Sequence, residues 1–149
     1  MRISVLFALI LLCLPVHAGL ILEEGYVRGL PPGQNNTAAF LTLKNTGSKT
    51  LWITAAQSDV AQSAELHQHS MSASGVMSMS AVGEITIPAG QRFTFAPGGY
   101  HIMLFGLHHP LRSGDMVKLD LTAGDGTVFH FQLPVVSVLD EKPAAAHQH

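Results

Sequence analysis

The sequence predicts an all-β fold, most simply an antiparallel β-sandwich. No window of 12 or more residues repeats its apolar side chains with a helical period. Short runs instead alternate apolar and polar residues, and turns rich in glycine and proline separate these runs. Regular short strands joined by such turns are typical of antiparallel sandwiches.

Nine segments have the pattern expected of strands. In the first, Ala39, Leu41 and Leu43 share one face, while Thr42 and Lys44 lie on the other. A Gly-Asp-Gly sequence at 124–126 separates the seventh and eighth segments and is a strong hairpin signal. The predicted strands are 38–44, 51–55, 64–69, 84–88, 92–95, 100–105, 117–122, 128–133 and 135–139.

The chain begins with the features of a secretory signal peptide. Arg2 supplies a positive charge, residues 5–14 are wholly apolar, and Val16-His17-Ala18 offers small residues near a cleavage point. The apolar stretch is too short to span a bilayer. We therefore expect a signal peptide at 1–18, a β-domain at 19–140 and a disordered tail at 141–149.

The only cysteine, Cys13, lies inside the signal segment, so the mature protein has none. A chain without cysteine forms no disulfide and supplies no thiol nucleophile or thiolate ligand. Blue-copper electron transfer, which needs a His₂Cys core, is thereby excluded. The signal peptide together with the lack of disulfides indicates a bacterial periplasm.

Charge and motif content exclude other function classes. The net charge is −2, charged residues make up 12% of the chain, and there is no basic stripe, so nucleic acid is not an expected partner. Nothing after residue 18 resembles a membrane span. No Ser/His/Asp constellation has credible spacing, so we do not expect an enzyme. We expect a binding protein, and expect it to be a monomer.

Soft, neutral metal ligands are concentrated in two segments. His101 and Met103 lie two residues apart in a predicted strand, and therefore on one face. The segment 64–79 contains no lysine or arginine and one acid, Glu65. Imidazole and thioether together suit Cu(I) better than Ca²⁺, Mg²⁺ or Zn²⁺. The candidate ligands are His67, Met79, His101 and Met103, with His69 and Met77 as further candidates.

Each candidate also has an ordinary structural explanation. Met103 and His101 could be core residues of an apolar strand, and a methionine pair such as Met77 and Met79 usually fills gaps in a core. His67 could simply end a solvated strand. His147 and His149 could bind Cu(II) on the flexible tail or be incidental.

Several motifs resemble the periplasmic copper chaperones of the PCuAC type. The 21 residues between Met79 and His101 and the ending His101-Ile102-Met103 match that family's ligand pattern. So do the segments at 26–28, 31–33, 36–40, 64–67, 75–79 and 97–104, and the resemblance covers nearly all of residues 20–137. One departure is the spacing of eleven residues between His67 and Met79, one more than in the family. His67 and His69 both remain candidates, with His67 preferred for its Glu-Leu-His context.

The resemblance implies a cupredoxin-like Greek-key β-sandwich with one Cu(I) at the surface. It also implies delivery of copper to a copper-accepting protein, either a cytochrome c oxidase subunit, most often its copper A centre, or another copper chaperone. Two alternatives remain open. One is a passive periplasmic copper-binding protein for tolerance, and the other is a structural β-sandwich without metal.

Overall fold

The computed structural model describes residues 19–141, and this part of the chain consists of ten β-strands without a helix. Every non-glycine residue in it has a negative φ. The strands are β1 (Leu20–Gly29), β2 (Asn36–Asn45), β3 (Leu51–Ser58), β4 (Ala61–Met71), β5 (Met77–Ala81), β6 (Ile85–Ile87), β7 (Arg92–Phe95), β8 (Tyr100–Leu107), β9 (Met116–Ala123) and β10 (Val128–Ser137).

The strands form one continuous sheet that closes on itself. Its order is β4-β8-β2-β1-β10-β9-β3, and β3 pairs back with β4 through Ala56 and Ala64. The strands β5, β6 and β7 extend this ring from β4, β3 and β2. The all-β prediction is confirmed. The sheet differs from two separate antiparallel layers because it is closed and because β1 pairs with β10 in parallel.

Alternation along the strands places one face in the barrel interior. The predicted inward face of β2 is fully buried, with Leu41 2% and Leu43 0% exposed. On β8, Ile102 and Leu104 are inaccessible to solvent and face the same core. Because side chains alternate across a strand, the neighbouring residues of β8 lie on the outer face of the barrel wall.

Two features of the fold differ from the sequence prediction. Strand β1 had no predicted counterpart because two glutamates and a glycine interrupt its apolar pattern. A β-carbon at Gly25 would lie 2.8 Å from both Leu41 Cβ and Leu133 Cδ2, so the close approach of β1 to β2 and β10 needs glycine there. The last two predicted segments form the single strand β10, in which Pro134 is exposed.

The two ends of the chain lie partly outside the described residues. The predicted signal peptide is outside them, as are His147 and His149 of the predicted tail. Glu141, the first residue assigned to that tail, accepts two hydrogen bonds from the Arg28 guanidinium at 2.7 and 2.9 Å. Within residues 19–141 there is no helix long and apolar enough to cross a membrane.

Candidate metal centre

Three neighbouring strands, β5, β4 and β8, bring the candidate ligands onto one outer face of the barrel wall. Residues directly opposite each other in an antiparallel pair lie on the same face of the sheet. His67 lies opposite His101, and His69 lies opposite Met79. We call this surface the soft-ligand face; its members are Glu65, His67, His69, Met71, Met77, Met79, His101 and Met103.

His101 is the most deeply buried of these side chains, at 2% exposure. Its Nδ1 lies 3.1 Å from the carbonyl oxygen of Gly99. A carbonyl only accepts, so Nδ1 carries the proton and the neutral ring keeps a lone pair on Nε2. Burial lowers the pKa of His101, an effect that the Gly99 carbonyl partly offsets. The imidazole is therefore held in the neutral form that a metal requires.

The sulfur of Met79 lies next to the unprotonated Nε2 of His101. The distance between Met79 Sδ and His101 Nε2 is 2.9 Å. In this tautomer neither atom carries a proton, so two electron-pair donors face each other. Such an arrangement is unfavourable by itself, and a soft cation bound by both atoms would relieve it.

His67 is held by a carboxylate on its own strand. Its Nε2 lies 2.9 Å from Glu65 Oε2; because a carboxylate only accepts, Nε2 carries the proton and donates the hydrogen bond. The other nitrogen, Nδ1, is buried and has no hydrogen-bond partner among the described residues. A ligand imidazole whose second nitrogen donates to a carboxylate is a frequent arrangement at metal sites.

His69 lies closer to His101 than His67 does. The ring centroids are 4.7 Å apart for His69 and His101, and 5.8 Å apart for His67 and His101. The Nδ1 of His69 is also buried, with no partner in the part of the chain that the structure describes. Both histidines of β4 therefore have a buried Nδ1 without a hydrogen-bond partner among the described residues.

The remaining two candidates occupy opposite ends of this face. Met103 is partly buried on β8, opposite Glu65 on one side and Ala38 on the other. Met77 lies at the outer end of β5 and is 53% exposed. Across residues 19–141, no three His, Cys, Asp or Glu side chains converge on one metal position.

Sequence reasoning missed the residues that support the ligands. Phe40 packs against His101 with ring centroids 6.4 Å apart, and Phe105 lies 5.7 Å from His67. Glu65 was considered only as the one acid of 64–79 and as part of the Glu-Leu-His context, although its spacing of two from His67 on a strand puts both on one face. The aromatic contacts join different strands, so nothing local in the sequence pointed to them.

A cavity of about 430 Å³ is lined in part by Phe40. Tyr26, Leu41, Phe95 and Glu141 contribute to its wall, and no histidine or methionine among the described residues lines it. It is therefore separate from the soft-ligand face.

Comparisons with known proteins identify the family. The family described as "Putative lipoprotein LpqE-like" matches residues 20–135. "Putative lipoprotein Lxx21020" of Leifsonia xyli subsp. xyli (strain CTCB07) is 40% identical over 104 residues, which cover 69% of this chain. The chain spans 62% of the length of that relative.

Solved structures agree with this match. Cu(I)-DR1885 from Deinococcus radiodurans is 32% identical, with a TM-score of 0.59 over 82% of this chain and 78% of that one. The apo PCuAC domain from PmoF1 is 19% identical, with a TM-score of 0.67 over 80% of this chain and 96% of that one, and it shows the likeness of fold. The chain therefore belongs to the LpqE-like family, and the relationship to PCuAC-type copper chaperones predicted from its motifs is confirmed.

Proposed function

We propose that this protein is an extracytoplasmic copper chaperone that holds one Cu(I) on the soft-ligand face. The observation that carries the proposal is the 2.9 Å approach of Met79 Sδ to the unprotonated Nε2 of His101. The relative DR1885, at 32% identity, has been solved as a Cu(I) protein, and this supports the same cargo.

The ligand set that we propose is His67, Met79, His101 and Met103. The partnerless Nδ1 and the Glu65 contact of His67 support its inclusion. His69 is the alternative first ligand, because its Nδ1 is equally free and its ring is nearer to His101. Neutral thioethers and imidazoles favour Cu(I) over Cu(II), since they add no negative charge.

The chemistry of this ligand set supports delivery. A site without thiolate binds Cu(I) but gives it up to the cysteines of an acceptor, because thiolate is the stronger soft ligand. We propose a cytochrome c oxidase subunit, with its copper A centre, or another copper chaperone as the acceptor. The competing function is passive copper binding for tolerance.

The proposed location rests on the signal-like pattern of residues 1–18 and on the relatives of the chain. We propose that residues 1–18 are a signal peptide and that the domain works in the periplasm; the lipoprotein description of the family supports an extracytoplasmic place.

We also propose that His147 and His149 of the 141–149 tail bind Cu(II). For the fold, we retain a cupredoxin-like Greek-key description, which the crossovers from β2 to β8 and from β3 to β9 support.

Chelator competition and X-ray absorption test the site together. One Cu(I) per chain is expected, with sulfur and nitrogen in the first coordination shell. A shell without sulfur would overturn the assignment, and absence of Cu(I) binding would leave a structural β-domain. Incubating the loaded protein with an apo copper A domain, then measuring copper in each separated protein, distinguishes delivery from buffering. Copper that stays on this chain would favour buffering.

A further inference from the structure

A second pair of thioethers lies at the outer end of the soft-ligand face. Met71 and Met77 are direct partners in the β4–β5 pairing, so they project from the same face of the hairpin. They are 68% and 53% exposed, although large apolar side chains usually avoid water. Opposite residues of an antiparallel pair have Cβ atoms only about 4.5–5.5 Å apart, which lets two flexible thioethers meet on one ion.

The turn between these two methionines is well ordered by hydrogen bonds. The Ser72 amide donates to the Val76 carbonyl at 2.9 Å, and the Gly75 amide donates to the Ser72 carbonyl at 2.9 Å. The Val76 amide also donates to the Ser72 hydroxyl at 3.1 Å. Gly75 has a φ of 80°, which suits glycine. The hairpin end therefore fixes the spacing of the two methionine backbones.

Met79 connects this pair to the inner ligands. It lies two residues from Met77, on the same face of β5, and its sulfur already contacts His101. Residues 66–83 contain no Asp, Glu, Lys or Arg. Hard cations such as Ca²⁺ and Mg²⁺ therefore find no carboxylate there, whereas a soft monovalent ion finds three thioethers on one face.

We propose that Met71 and Met77 form an outer thioether site for Cu(I), which shares Met79 with the inner site and passes the ion inward. The inference rests on the proposed function. A shared ligand lets the ion exchange Met71 and Met77 for His101 and a second imidazole without being released. The transfer is an exchange of neutral ligands, so the charge on copper stays +1 throughout.

The competing explanation is that the exposed methionines are a purely apolar docking surface. Leucine separates the two explanations, because it keeps the size and apolarity of methionine but has no sulfur. Docking would survive Met71→Leu and Met77→Leu, whereas metal binding at the outer site would not.

Titration with Ag(I), a redox-inert soft ion, tests the proposal on the whole chain. NMR of the methionine ε-methyl groups reports each sulfur separately. The first equivalent should shift the Met79 resonance. A second, weaker equivalent, held by Met71 and Met77 while Met79 stays with the inner ion, should shift the Met71 and Met77 resonances. In the Met71→Leu/Met77→Leu double variant the second equivalent should be lost, whereas Met116→Leu, an exposed control on β9, should keep it.

The outcomes separate this proposal from the proposed function. If the Met79 resonance shifts but the Met71 and Met77 resonances do not change up to two equivalents of Ag(I), the outer site is refuted while the inner site stands. Retention of the second equivalent by the double variant would also refute it. If no methionine resonance moves, the proposed function and the outer site fail together.

Discussion

The substitution Met79→Leu separates ligation from packing at the candidate centre. Met79 lies on β5, which ends the sheet order, and 46% of the side chain is exposed. Its sulfur contacts His101, but Met79 does not belong to the hydrophobic core cluster. Leucine has a similar volume and no soft donor, so the change removes a ligand and leaves the fold nearly intact.

The two effects of this substitution differ in size. A volume-conserving swap costs less than about 1.5 kcal/mol even in a full core, and at a half-exposed edge we expect a change below about 0.5 kcal/mol in the free energy of unfolding. Loss of a group that only supports a ligand typically reduces metal affinity about 10–100-fold, so loss of a ligand should cost at least about 100-fold, or about 2.8 kcal/mol.

Two measurements check this prediction. Competition with a colorimetric Cu(I) chelator gives the affinity, and denaturant unfolding of the apo-protein gives the stability. Met116→Leu, at an exposed position of β9, is the matched control and should change neither. A Met79→Leu protein that binds Cu(I) within about twofold of wild type would refute the ligand role, since the loss of a thioether ligand should reduce the affinity far more than that.

Three further predictions concern protons, the carboxylate support and the tail. Because burial lowers the pKa of His101, the unfolded chain binds more protons, so the free energy of unfolding of the apo-protein should fall as pH drops through about 6.5 and be unaffected by this group above it. Cu(I) affinity should decline in the same window, and a flat affinity from about pH 8 to about pH 5 would argue against histidine ligation. Glu65→Gln weakens the hydrogen bond from His67 Nε2 and should reduce Cu(I) affinity by about 10-fold, the lower end of the range for a supporting contact. An unchanged Cu(I) affinity in chelator competition would argue against His67 and favour His69. Truncation after Lys142 removes both tail histidines and should abolish Cu(II) binding measured by calorimetry with Cu(I) binding intact; full Cu(II) stoichiometry would show that the tail has no metal role.

Local sequence was sufficient for most strands and for the composition of the soft-ligand face. The alternation along β8 predicted that His101 and Met103 share a face, and the structure places them so. The pairing of β4 with β8, which puts His67 opposite His101, joins residues far apart in sequence. Such pairings depend on the whole fold, so local periodicity could not supply them.

Two features of the sheet could not be read from single residues. Trp52 is 48% exposed despite its apolar side chain, because β3 turns its other face, with Leu51 and Ile53, inward. The apolar character of a single residue predicts its burial less well than the face of the strand on which it lies. The closure of the sheet through Ala56 and Ala64 was equally invisible, since one backbone pairing leaves no mark on composition.

The fold holds the imidazoles of His67 and His101 more firmly than it holds the thioether of Met79. His67 and His101 are 8% and 2% exposed and lie on β4 and β8, each of which is hydrogen-bonded on both sides. Met79 lies on β5, which pairs only with β4 within the described residues. An edge strand opens at a lower free energy than a strand bonded on both sides. Copper bound to the proposed ligands would lose the Met79 thioether first, and the thiolates of an acceptor would enter from the β5 edge while the barrel stays closed. The stability of the fold and the rate of copper release would therefore depend on different strands, so that the protein could release its cargo repeatedly without unfolding.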